Sequence, residues 1–248
     1  MPIIINICYN FIGDSMKILN IFFSGSGETK KVADYFNKQI NCITYDITSK
    51  KSRLTFDFTQ HYDLAIISFP VYCQNIPVPF IDTLKRLKAD FFLVNITYGK
   101  MSFGNVLYDV KQLITGKIIG ASLIPTKHTY LNNLSFDDYE LLLPLIARIN
   151  SKKEISIPYF LKHSFADILP SLRSRLGVKL SKTPNCINCH HCNIICPMEA
   201  IQDGHPNSHC IRCLKCYYEC PHQGLKIKIR KLLKIYLNKE RINQFLIF

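Results

Sequence analysis

The 248-residue sequence has no tryptophan, no apolar run of 18 residues and few acids. Without a long apolar run it has no candidate transmembrane helix. Asp and Glu number 18 against 31 Lys and Arg, a net charge of +13. That excess points to an acidic partner, nucleic acid or an anionic surface, without choosing among them. Low-complexity tracts are absent. Hydrophobic residues make up 48% and charged residues 20%, which suits a buried core and argues against wholesale disorder. Met1–Ile12 is apolar but lacks a basic lead and a small-residue cleavage site, which argues against a secretory signal. Met16 opens a better-formed strand, so residues 1–15 read as an extension or a misplaced start. The compartment expected is the cytoplasm. There thiols stay reduced, and clustered cysteines bind metal more often than they form disulfides.

Of 11 cysteines, eight lie between Cys186 and Cys220, while Cys8, Cys42 and Cys73 are scattered. This shift divides the chain into a front domain (16–153), a basic linker with a short helix (154–180), a cysteine-rich domain (181–230) and a basic amphipathic C-terminal helix (231–248). The front part alternates strand and helix patterns. Lys17–Phe23, Ile43–Ile47, Leu64–Phe69, Phe91–Thr97 and Lys117–Ile124 predict strands. Thr29–Ile40, Pro79–Leu87, Phe103–Ile114 and Asp137–Ile149 predict helices, the last with Pro144 inside it. Such alternation predicts βαβ units and a doubly wound, five-stranded parallel sheet. The linker helix is expected near Ile168–Leu176, and Leu225–Ile229 alternates like a strand.

The cysteines form a repeat. Cys186-x2-Cys189-x2-Cys192-x3-Cys196-Pro197 is followed by Cys210-x2-Cys213-x2-Cys216-x3-Cys220-Pro221. Three thiolates two residues apart on a coiling loop reach three irons of a cubane cluster, and the fourth iron needs a ligand from elsewhere. A span this short buries too little apolar surface to fold alone, so a staple is needed. The runs resemble those of bacterial two-cluster ferredoxins, and Cys196-Pro-Met-Glu-Ala-Ile201 resembles their continuation after the fourth cysteine. The resemblance implies two [4Fe–4S] clusters and a small α+β ferredoxin-like domain. It also implies crossed ligation: Cys186, Cys189, Cys192 and Cys220 on one cluster, Cys210, Cys213, Cys216 and Cys196 on the other. The alternatives are zinc, which Cys-x2-Cys pairs also bind, and disulfides, which a reducing compartment disfavours. Eight thiolates would leave no vacancy for His190, His191, His205, His209 or His222.

At the first strand–helix junction stands Ser24-Gly25-Ser26-Gly27-Glu28-Thr29. Glycines let the backbone turn its N–H groups toward one spot. The hydroxyls of Ser24, Ser26 and Thr29 and the helix dipole add to this anion nest. It is neither a P-loop nor a GxGxxG fingerprint. It resembles the hydroxyl-rich phosphate loop of flavodoxins. Phe69-Pro70-Val71-Tyr72-Cys73-Gln74-Asn75 and Asn95-Ile96-Thr97-Tyr98-Gly99 then correspond to the loops that grip the flavin ring. The resemblance implies FMN, with Tyr72 and Tyr98 as stacking candidates and Pro70, Val71, Cys73, Thr97 and Gly99 beside the ring. The sequence departs from that pattern at Glu28, an acid whose carboxylate must turn from a phosphate, with Lys30 and Lys31 to offset it. The alternative is that Tyr72 and Tyr98 pack under loops of an empty domain. Cys73 reads as a buried small hydrophobe and His128 as structural.

A flavodoxin-like half followed by a two-cluster half resembles the flavodoxin–ferredoxin fusions called EFR-family ferredoxins, over about residues 16–225. That resemblance implies intracellular electron transfer between FMN and two [4Fe–4S] clusters and on to a redox partner. One alternative is an iron–sulfur flavoenzyme reducing a small molecule such as a quinone or a flavin, although no convincing acid–base pair stands out. Another is a zinc- or cluster-stabilised basic binding module. Lysines and arginines flank the cysteines on both sides, which suits an acidic redox partner. Nucleic acid is not expected, since no aromatic–basic motif is present. The basic C-terminal helix fits either peripheral membrane contact or a solvated face.

Overall fold

The computed structural model describes residues 16–131, 135–239 and 242–248. The expected leading extension, Cys8 included, lies outside them. The first half comprises β1 (Ile18–Phe22), α1 (Glu28–Gln39), β2 (Ile43–Asp46), α2 (Lys50–Thr55), β3 (His61–Pro70), α3 (Val78–Arg86), β4 (Lys88–Tyr98), α4 (Val106–Lys111) and β5 (Lys117–Pro125). A 3₁₀ turn at Tyr139–Leu142 leads into α5 (Leu143–Ser151). There follow α6 (Pro170–Gly177), β6 (Val178–Lys182), α7 (His191–Ile195), β7 (Ile201–Gln202), β8 (His205–Pro206), α8 (Lys215–Tyr218), β9 (Leu225–Ile229), α9 (Lys231–Leu237) and β10 (Leu246–Ile247).

The main sheet has the order β10-β5-β4-β3-β1-β2. The strands β1 to β5 pair in parallel, in the flavodoxin-like order 2-1-3-4-5. Alternation along each strand assigns its two faces. Leu19, Ile21, Ala65 and Ile67 join one apolar layer with Phe80, Val94 and Ile96. Ile18, Leu64, Ile66 and Leu93 join the other, under Val32 and Phe36 of α1 and Leu145 and Ile149 of α5. Because both faces are covered, the inner strands read as continuous apolar runs. A polar row crosses the sheet: Ser122 Oγ donates to Asn95 Oδ1 at 2.8 Å, and Asn95 Nδ2 to Ser68 Oγ at 3.3 Å.

The structure corrects three expectations. The sheet has six strands, not five, because β10 pairs antiparallel with β5 (Leu246 with Leu123, Ile247 with Ser122). The C-terminal helix accordingly ends at Leu237 rather than running to Phe248. The physical reason is the apolar tail Phe245-Leu-Ile-Phe248. Its Phe245 stacks on Phe136 (centroids 5.5 Å apart, 9° between planes), and Leu246 and Phe248 pack on the core. The tail thereby covers a sheet edge that would otherwise stay open. The helix expected at 137–149 splits into a 3₁₀ turn and α5, with Pro144 in the first turn, where a proline costs no hydrogen bond.

The cysteine-rich part is held by antiparallel β6 and β9, Val178 opposite Ile229, so its first strand begins within the stretch read as linker. The two cysteine runs share one backbone. Asn188 and His190 in the first run match Arg212 and Leu214 in the second, all with φ between 58° and 60°. Glu199 (φ 50°) likewise matches Gln223 (φ 49°), each three residues past the fourth cysteine of its run. Left-handed backbone at such residues costs about 1–3 kcal/mol each. Its repetition in both runs marks one motif used twice.

Candidate functional site

The glycine loop follows β1 and opens α1. Gly27, the N-cap of α1, has φ 88°, which an L side chain rarely adopts. Ser24 Oγ accepts from the Lys30 N–H at 3.1 Å, and Thr29 Oγ1 lies 2.7 Å from Thr97 Oγ1. The Glu28 carboxylate accepts from Lys31 Nζ at 2.7 Å and from the Ser135 hydroxyl. Lys30 pairs instead with Asp34.

Beside this loop, at the C-terminal ends of the parallel strands, lies a cavity of about 340 Å³. Of the residues singled out from sequence, Ser26, Glu28, Pro70, Val71, Tyr72, Cys73, Thr97, Tyr98 and Gly99 line it; Ser24, Gly25, Gly27 and Thr29 do not. Its wall also includes Thr126–Tyr130, His163, Arg173, Ser174, Ile211, Leu233, Tyr236 and Leu237. Sequence reasoning missed most of these because they come from distant segments with no common motif. The topology places the cavity where ligands sit in such sheets, at the point where strand order reverses.

The loop after β3 is a tight turn. Tyr72 and Asn75 exchange both backbone hydrogen bonds at 3.0 Å, and Cys73 (φ 52°) and Gln74 (φ 66°) are both left-handed. That is the geometry of a type I′ turn, which glycine or asparagine usually provides. The linker clamps it. Asn75 Nδ2 donates to the Ala166 carbonyl at 2.9 Å, and the His163 N–H donates to Gln74 Oε1 at 3.0 Å. Cys73 Sγ lies 3.2 Å from Ser174 Oγ.

The two tyrosines differ. Tyr72 meets Phe23 edge-on, with centroids 6.4 Å apart. Burial pushes its hydroxyl well above the ordinary tyrosine range, and the neighbouring Cys213 adds to this. The Tyr98 ring is 1% exposed and packs edge-on to Phe103. Its hydroxyl donates to the Gln244 carbonyl at 2.6 Å and accepts the Gln244 N–H at 3.1 Å. This corrects the expectation that Tyr98 offers a stacking face: the returning C-terminal segment takes its polar end, and its ring belongs to the core.

Two pockets lie among the cysteines. Cys196, Cys210, Cys213 and Cys216 line one, with Arg212 and Ile211. Cys186, Cys189, Cys192 and Cys220 line the other, with His190, His191 and Asp203. In the second, His190 Nδ1 and Asp203 Oδ1 lie 2.7 Å apart. Among the described residues no group of three or more His, Cys, Asp or Glu converges on a point as a single metal ion requires. The Ala200 N–H donates to Cys196 Sγ, and the Gly224 N–H to Cys220 Sγ, each at 3.2 Å. Burial pushes the Cys213 thiol up to about 12 and raises Cys216 and Cys196 as well. Arg212 is 8% exposed; its Nε donates to the Val178 carbonyl at 2.9 Å, while its buried Nη1 has no partner among the described residues.

The two halves meet at this site. A β-carbon on Gly25 would stand 2.9 Å from the Cys213 β-carbon and would collide with the Tyr72 hydroxyl. Tyr130 Oη donates to the Arg212 carbonyl at 3.0 Å. Ile211 and Cys213 belong to the apolar layer of the first half. Arg53 donates to the carbonyls of Ile47, Thr48 and Pro197, tying α2 to the first cysteine run. Burial lowers its pKa, with the Glu199 carboxylate opposing. Lys50 pairs with Glu199 at 2.6 Å.

The chain matches no known protein-family profile and no curated protein sequence. Among solved structures it is similar to a candidate flavoprotein from Bacteroides eggerthii DSM 20697 (21% identity, 53% of this chain and 98% of that one, TM-score 0.33). It is also similar to a candidate flavoprotein from Bacteroides uniformis ATCC 8492 (18%, 53% and 98%, TM-score 0.37). A third is a flavoprotein in complex with FMN from Lactobacillus acidophilus NCFM (19%, 43% and 92%, TM-score 0.33). Among the described residues no helix is long and apolar enough to cross a membrane.

Proposed function

We propose that the chain is an electron-transfer protein that holds FMN in the cavity and two [4Fe–4S] clusters among its cysteines, and passes electrons to a redox partner. One observation carries this reading. The Cys210–Cys216 loop packs on the glycine loop, with Cys213 against Gly25 and Ile211 in the cavity wall. FMN exchanges two electrons with a donor, and iron–sulfur clusters pass electrons singly.

The residues present fit these groups. The N–H groups opening α1, with Ser24 and Ser26, suit the phosphate, and Glu28 is neutralised by Lys31 and engaged by Ser135. Tyr72 and the Pro70–Cys73 backbone would flank the ring. The thiol sets would be Cys196 with Cys210, Cys213 and Cys216, and Cys220 with Cys186, Cys189 and Cys192, the sets that line the two pockets. The buried thiols of Cys196, Cys213 and Cys216 charge only beside a cation. The buried Arg212 guanidinium, whose Nη1 has no partner among the described residues, suits a cluster that is net negative with its four thiolates. Backbone N–H bonds to Cys196 and Cys220 would stabilise the added electron. The set around Cys213 then exchanges electrons with the flavin. The set containing the exposed Cys189 faces outward. Lys179, Lys226 and Lys228, exposed on β6 and β9, suit an acidic redox partner.

Oxygen-free purification followed by iron, sulfide and flavin analysis tests the reading. About eight iron and one FMN per chain are expected. Zinc without sulfide would overturn it in favour of a zinc-stabilised binding module. A second reading, reduction of a small molecule such as a quinone or flavin, is favoured by His128, Lys127 and Arg173 on the cavity wall. Turnover of such an acceptor with a defined electron donor would raise it above the first.

A further inference from the structure

We propose that α6 and α9 together form an in-plane anchor that seats the protein on an anionic lipid surface. This inference stands independently of the cofactor reading.

In α9, Leu233 and Leu237 face the protein: Leu237 is 1% exposed and Leu233 abuts Gly177. Leu232 and Ile235, three apart, turn away from the protein and are 84% and 54% exposed, and Tyr236, between this face and the cavity, is 44% exposed. A helix that packs one apolar stripe and presents a second one outward has unpartnered apolar surface. The neighbouring α6 repeats the pattern. It buries no residue, and Leu172 and Leu176, with the N-cap Leu169, are 37%, 53% and 62% exposed. The helices adjoin at Gly177, whose carbonyl accepts the Arg230 N–H at 2.9 Å. Phe165 and Ile168, 60% and 53% exposed, extend the surface just before α6. Arg173 fixes this stretch by donating to the Phe165 carbonyl.

Charge selects the occupant. Neither helix contains Asp or Glu. Arg175, Arg230, Lys231 and Lys234 form no ion pair with any described residue. Nearby Asp167 is taken by Lys162 at 2.7 Å. In a symmetric dimer through this face the cations of one copy would meet the cations of the other with no acid on either helix to pair them, and like charges would repel. An anionic bilayer suits both features: it attracts the cations and accepts apolar side chains at its headgroup boundary. Arg173, Ser174, Leu233 and Tyr236, on the same two helices, line the cavity. The anchor therefore brings the cavity wall to the lipid boundary.

Co-sedimentation of the protein as purified with large vesicles tests this. Vesicles of phosphatidylcholine alone are compared with vesicles containing about one third phosphatidylglycerol. Binding to the anionic vesicles is expected to exceed that to the neutral ones by about tenfold or more. The pair Leu232→Ser, Ile235→Ser should lose about tenfold in binding with an unchanged circular dichroism spectrum. The pair Lys231→Glu, Lys234→Glu should bind more weakly still. Three results would overturn the proposal. One is no binding to anionic vesicles. Another is binding indifferent to the apolar pair. The third is a wild-type dimer in sedimentation that the apolar pair turns into a monomer, which would show a second copy covering the face.

Discussion

Gly25 of the glycine loop lies directly against Cys213 of the second cysteine run, leaving no room for a methyl group between them. A close approach of the two halves is thus made by a residue with no side chain, at the entrance to α1.

Gly25→Ala should force the loops apart. Overpacking of this kind costs about 1–3 kcal/mol, and flavin content should fall with it. Gly27→Ala is the control. Its β-carbon meets open space, so its cost, about 1 kcal/mol, comes from backbone conformation alone. Chemical denaturation and flavin release measure both. Equal flavin loss in the two variants would argue against the contact as the cause.

Cys220 and Cys196 each sit among the thiols of the opposite run. Cys220→Ala should remove the group held by Cys186, Cys189 and Cys192. Cys196→Ala should remove the one held by Cys210, Cys213 and Cys216. About four iron per chain should remain in each variant. Electron paramagnetic resonance would distinguish the survivors. The cluster surviving Cys220→Ala should exchange electrons with the flavin more readily than the one surviving Cys196→Ala.

Arg212 is buried with one guanidinium nitrogen unpartnered. Arg212→Leu should lower the reduction potential of the nearer cluster, because a positive charge that stabilises the added electron is lost. The more distant cluster should keep its potential. Redox titration followed by resonance spectroscopy reads both, and Arg212→Lys should restore part of the shift. A uniform change in both potentials would point to general loosening instead.

Burial raises the Tyr98 hydroxyl to about 12 against its ordinary 10.0, with the Gln244 N–H opposing. The folded state therefore keeps this proton after the unfolded chain has lost it. The stabilisation is complete below pH 10 and is lost as the pH rises from 10 toward 12. Urea midpoints should fall more steeply across that interval in the wild type than in Tyr98→Phe. At neutral pH the phenylalanine variant should be less stable by about 1 kcal/mol, through loss of the Gln244 bonds. Parallel pH profiles for the two proteins would argue against this role for Tyr98.

The parallel sheet was legible because its strands are buried on both faces and separated by helices with clear apolar stripes, Val32, Ala33 and Phe36 among them. The helix at 231–248 was misread because Leu246 and Ile247 fit an amphipathic stripe as well as an edge strand; only the exposed edge of β5 decides between them. Tyr98 looked like a ring-stacking residue from its place after β4, but its environment is set by Gln244, 146 positions away. Arg53 carried no motif at all, since its three acceptors are backbone carbonyls, two just before α2 and one 144 positions away. Local pattern shows which residues share a face. It does not show which remote segment returns to cover that face.

The return of the chain through β10 has a mechanical consequence. The cysteine-rich unit is spliced into its companion as an insertion, entering after α5 and leaving through the last strand. Two tethers, rather than one flexible hinge, restrict it to small excursions. Cutting either connection alone should leave the unit docked, held by the other connection and by the packing of Ile211 and Cys213.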